Sequence, residues 1–131
     1  MSAPAQDGFI PGRHLIDAYG AGGFRFAGMS HVGSILATPL GLRAVAALTP
    51  AEINASLLEP LFSELAAHPR SIEFLIIGTG ERMARLSDSL RARLRQAKLQ
   101  TDAMATGPAA RVYNVMLNEN RRVAALLLAA P

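Results

Sequence analysis

The chain has 131 residues, half of them hydrophobic, which is enough for one domain with an apolar core that needs no covalent staples. It contains no cysteine, which excludes a disulfide scaffold, a thiol nucleophile and thiolate metal sites, and permits a reducing compartment. The formal charge is +3, Lys98 is the single lysine among thirteen basic residues, and aromatics are few; this argues against a nucleic-acid binder, which needs a basic stripe with stacking side chains.

Residues 1–12 carry neither a basic start nor an apolar core, so they read as a flexible N-terminal tail rather than a secretory signal, and residues 13–131 as a single domain. The apolar run over 123–130 is too short to cross a bilayer, and the expected location is cytoplasmic. His14, His31 and His68 lie far apart without ligand spacing, so neither a metal site nor a cofactor is expected.

In chain order, residues 14–19 read as a first strand, broken by the glycines at 20–23. Phe24-Arg25-Phe26 alternates and puts both rings on one face of a second strand. Gly28-Met29-Ser30 reads as a hairpin turn, 31–38 as a third strand and 42–47 as a fourth, together an antiparallel meander. The glycine-rich bend at 19–24 is not followed by a helical pattern and so is no phosphate loop. Thr49-Pro50-Ala51-Glu52 has the makings of a capping box and predicts a helix to about Leu58, with Pro60 kinking it or opening a second. Leu57, Leu61 and Leu65 would share a face.

The almost unbroken apolar run at 72–77 predicts a strand buried on both faces, with Glu73 near its entry. Gly78-Thr79-Gly80 then turns the chain, and a helix is predicted from Glu81 with Met83, Leu86, Leu90, Leu94 and Ala97 as its apolar stripe. Arg82, Arg85, Arg91, Arg93, Arg95 and Lys98 fall outside that stripe, as a solvated face whose stems cover apolar surface or as a docking surface for an acidic partner. Residues 99–105 predict a strand parallel to the previous one. Thr106 is a candidate cap for a helix burying Val112, Val115 and Met116, and 122–128 predicts the last strand.

In an open α/β sheet the crevice beyond the carboxyl ends of the strands is where ligands bind. Here it would hold Gly78, Thr79, Gly80, Arg82 and Thr106, with amides at the start of the predicted Glu81 helix available to a phosphate or carboxylate. Two glycines making a tight turn, with Thr79 satisfying local backbone, is the competing reading, because Gly-Thr-Gly lacks the longer nucleotide fingerprints. Tyr113 and Asn114 offer a hydroxyl and an amide, either for interaction or for bonding nearby backbone. No nucleophile–base pair or carboxylate pair stands out, so no catalytic residue is assigned.

Gly78-Thr79-Gly80-Glu81-Arg82, Leu86, Thr106, Ala109, Tyr113-Asn114, Leu117, Glu119 and the run 122–126, in this order, resemble the family that includes the mitochondrial assembly factor three of NADH:ubiquinone oxidoreductase (complex I). Val112 stands where that family commonly has threonine. The resemblance implies an α/β, three-layer domain with a central mixed β-sheet in which one strand is antiparallel, flanking helices, and an N-terminal antiparallel meander. It also implies a non-catalytic accessory or assembly role with a protein partner, the mitochondrial members helping to assemble the quinone-side module. The first twelve residues contain no arginine, so a bacterial cytosolic member is expected rather than a mitochondrial precursor.

Overall fold

The computed structural model describes residues 9–131. The chain runs through strands β1 (Phe9–Pro11), β2 (Ala18–Gly20), β3 (Gly23–Phe26), β4 (Met29–Val32), β5 (Ser34–Thr38) and β6 (Gly41–Val45), then helix α1 (Glu59–Ala67) and strand β7 (Phe74–Gly78). Helix α2 (Asp88–Gln96), strand β8 (Gln100–Met104), helix α3 (Thr106–Asn118) and strand β9 (Val123–Leu127) complete it.

The apolar runs found in the sequence pair with one another. β7 lies between β9 and β8, parallel to both, and β5 closes antiparallel on the other side of β9. β6 and the three-residue β1 extend this into a mixed six-stranded sheet ordered β1-β6-β5-β9-β7-β8. The expected reversal is at β5; β1, antiparallel to β6, adds a second at the margin. Of the tail expected over 1–12, residues 9–11 are thus part of the sheet, and 1–8 lie outside the described residues. β2, β3 and β4 form a separate antiparallel sheet.

Strand alternation sorts the core into two halves. Leu36, Leu75, Ile77, Ala124, Leu126 and Leu128 point to one side, where Leu58, Leu61 and Phe62 and α2's Leu90 and Leu94 meet them. Ile35, Ala37, Ile76, Val123, Ala125 and Leu127 point to the other, where they meet Phe24 and Phe26 of β3 and Ala109, Ala110 and Tyr113 of α3. The result is three layers: α1 with α2, the six-stranded sheet, and α3 with the small sheet. Every residue of β9 is buried, and each buried leucine contributes about 2–3 kcal/mol.

Several elements differ from the sequence reading for identifiable reasons. The strand expected at 14–19 forms only at Ala18–Gly20: the Asp17 amide still donates to Arg25 O of β3, but the Ile16 amide and carbonyl are both taken by Asn114. The β3–β4 turn is Ala27-Gly28, both at positive φ (51° and 75°), so Met29 and Ser30 belong to β4. The strand expected at 31–38 is cut in two at Gly33, whose φ of 102° lets the chain pass from the small sheet to the large one. The helix expected from Thr49 to Leu58 is a single 3-10 turn, Pro50–Glu52. Ile53 is already extended and Asn54 Oδ1 accepts from the Leu57 amide, so local bonds compete with the helix. Glu52 accepts from the Leu48 and Thr49 amides and the Thr49 hydroxyl, which hold its carboxyl below the usual range. Pro60 opens α1.

The helix expected at Glu81 starts at Asp88, where Ser87 caps it by accepting from the Leu90 amide. Met83, placed by the sequence pattern in the buried stripe, is therefore 67% exposed. On α3, Val112 and Met116 are half-buried but Val115 is 56% exposed; the small residues Ala109 and Ala110 pack against the sheet instead. α1 carries one buried acid, Glu64, which accepts from the Thr38 hydroxyl (2.5 Å) and the Leu40 amide (3.3 Å) and so ties α1 to the β5–β6 turn.

Candidate functional site

The carboxyl ends of β7, β8 and β9 meet the start of α3, and the residues expected to form a crevice there converge by hydrogen bonding to each other. The Thr79 amide donates to Met104 O (2.8 Å) and the Leu128 amide to Gly78 O (2.9 Å). The Thr106 amide donates to Gly80 O (2.8 Å), and the Gly80 amide returns a bond to Thr106 Oγ1 (2.9 Å). Thr106 Oγ1 then donates to Leu128 O (2.7 Å). One hydroxyl thus bridges the turn after β7 and the exit of β9. Thr106 is the first helical residue rather than the cap, which is Ala105.

Thr79 organises the segment that replaces the expected first turns of helix. Its hydroxyl donates to Arg82 O (2.7 Å) and accepts from the Ala84 amide (3.0 Å), folding 79–84 into a bend. Thr79 and Thr106 are buried, while the Arg82 side chain stands outside in solvent. The structure brings Gly78, Thr79, Gly80 and Thr106 together and leaves the Arg82 side chain apart from them. The amides of Thr79, Gly80, Ala84 and Thr106 are bonded within the protein.

Tyr113 and Asn114 lie two turns further along α3, facing the 13–17 segment instead of the crevice. Asn114 makes a two-bond clasp on one residue: Oδ1 accepts from the Ile16 amide (2.8 Å) and Nδ2 donates to Ile16 O (2.8 Å). That mimics a strand pair and seats Ile16 in the core beside Tyr113. Tyr19, not singled out by the sequence, lies over the first turn of α3. A Cβ on Gly107 would fall 2.3 Å from the Tyr19 hydroxyl, so a larger residue there would push this exposed ring aside. No sequence spacing links positions 19 and 107.

Tyr113 is 1% exposed, and burial pushes its hydroxyl up to about 12, with Arg13 opposing. A folded-state value raised above the ordinary 10.0 means the folded chain holds this proton more tightly than the unfolded one. The associated stability, about 2–3 kcal/mol, is therefore complete below about pH 10 and is lost as pH rises through about 12. Urea unfolding at about pH 9 and about pH 11.5 should show this extra loss in the native protein and not in Tyr113→Phe; equal losses would rule it out.

The sequence pattern of a family described as "Protein of unknown function (DUF498/DUF598)" matches residues 16–128. An uncharacterized protein of Rhodobacter capsulatus is 36% identical over 129 residues, spanning 98% of this chain and 94% of that one. The NADH dehydrogenase [ubiquinone] 1 alpha subcomplex assembly factor 3 of Xenopus tropicalis is 31% identical over 114 residues, which is 87% of this chain but 60% of the longer relative. Among solved structures, that of an outer membrane protein from Bartonella henselae is similar at 44% identity and a TM-score of 0.84, over 92% of this chain and 98% of that one. Among the described residues, no helix is long and apolar enough to cross a membrane. With its family pattern matched from Ile16 to Leu128, the chain belongs to the DUF498/DUF598 family.

Proposed function

We propose that this protein is a protein-interaction module with an accessory or assembly role rather than an enzyme. The observation that carries the reading is the 31% identity, over 87% of the chain, to a protein named as an assembly factor of NADH dehydrogenase. The side-chain chemistry of the candidate residues supports it. The Thr79 and Thr106 hydroxyls and the Asn114 amide are all engaged in holding backbone, so they serve the fold before any substrate.

The test is capture of the tagged full-length chain from native extract, followed by co-migration of the purified pair on a sizing column. A partner that co-migrates in constant ratio is the expected result. Failure to recover one, together with turnover of a metabolite by the purified chain, would overturn the reading.

A further inference from the structure

Residues 81–98 carry six of the thirteen basic residues and two of the ten acidic ones. This stretch is therefore more positive than the whole chain, whose formal charge is +3, and the remainder is slightly negative. The structure decides which of the six face outward together. On α2, Leu90 and Leu94 are buried, which turns Asp88, Arg91 and Arg95, at i, i+3 and i+7, into one exposed row. Arg85 joins the row through Asp88 (3.5 Å), which Arg91 also approaches at 3.9 Å, and Lys98 follows just past the helix end. Arg93 is not part of it; its guanidinium lies 3.8 Å over the Phe62 ring. Among the described residues Arg82, Arg95 and Lys98 have no ion-pair partner.

We propose that this row, from Arg85 to Lys98, is a docking surface for an acidic segment of a protein partner; the proposal rests on the interaction-module reading above. Three of the row's four cations are arginines, whose planar, weakly hydrated forks pair with carboxylates in two-bond geometry. The surroundings select a protein over the other anionic partners. A lipid surface needs an apolar helix face to enter it, and α2 spends that face on the core, leaving Met83 as the one exposed large apolar side chain of the stretch. A nucleic-acid strand needs stacking rings, and residues 81–98 contain no aromatic residue. Asp88, inside the row, opposes a continuous phosphate track but suits an alternating acidic peptide.

The experiment uses the full chain, its Arg91→Glu/Arg95→Glu double variant, the milder Arg91→Gln/Arg95→Gln pair, and an Arg25→Glu/Arg111→Glu control with the same net charge as the first. Each is checked for an unchanged melting temperature. If the Glu pair fails that check, the Gln pair is scored in its place. The probes are a labelled glutamate-rich peptide, phosphatidylserine vesicles and a single-stranded oligonucleotide, at about 50 and about 300 mM salt. Peptide binding should weaken about tenfold or more in the Glu pair and less in the Gln pair, and stay within about twofold in the control. Equal weakening in the control, or tighter binding of vesicles or oligonucleotide than of peptide, would overturn the proposal. Capture from extract separates the two levels. A partner retained by the Glu pair removes the docking row and leaves the module reading standing; capture of nothing by the native chain, together with turnover of a metabolite, removes both.

Discussion

Thr106→Val should lower stability by about 3 kcal/mol, although it exchanges one hydroxyl for a methyl of nearly the same volume. Thr106 is fully buried, and its Oγ1 accepts from the Gly80 amide and donates to Leu128 O at the same time. Removing it strands a donor and an acceptor away from water, each costing roughly 1–3 kcal/mol. Thr106→Ser keeps both bonds and loses one methyl, so it should cost on the order of 1 kcal/mol. In thermal melts the valine variant should fall by about 10 °C and the serine variant by about a third of that. Equal losses in the two would mean that shape, not the hydroxyl bridge, is what Thr106 supplies.

Gly78→Ala should cost about 2–3 kcal/mol, and Gly78→Val more. The reason is space and not backbone conformation, since Gly78 is ordinary strand backbone without positive φ. A Cβ there would lie 2.9 Å from both Thr106 Cα and Thr106 Oγ1, and 3.0 Å from Leu127 Cδ2. The nearest atom belongs to the backbone of α3's first residue, which cannot rotate aside, so the helix must retreat from the sheet. Since the clash falls on the Gly80–Thr106–Leu128 bridge, combining Gly78→Ala with Thr106→Val should lose less than the two single costs together. Full additivity in urea titrations would place the two residues in separate units.

Both expectations concern residues that the sequence marks as a candidate ligand crevice. Gly78, Thr79, Gly80 and Thr106 were legible as belonging to one place, because a glycine turn after a buried strand and a threonine before a helix are local patterns. That their polar groups are turned on each other was not legible. The Thr106 bridge joins positions 80, 106 and 128, and the Asn114 clasp reaches back 98 residues. The same limit explains Met83 and Val115. Helical spacing continued through 81–87, but the hydrogen bonds from Thr79 bend the chain first and Ser87 provides the later start. Glu64 could have been found as the lone acid beside Leu61, Phe62 and Leu65; its partner Thr38, 26 residues away, could not.

From α1 onward the order of strands and helices, together with the buried character of β7 and β9 and the mixed α/β architecture, follows from the sequence by itself. Runs of apolar residues and their period are set residue by residue, by the cost of leaving them in water. Tertiary structure alone decided that β9 inserts between β5 and β7, that α3 presses on Gly78, and that Arg91 and Arg95 of α2 stand in one outward row. Those facts depend on groups far apart in the chain competing for the same space and the same hydrogen bonds, and only the closed fold resolves that competition.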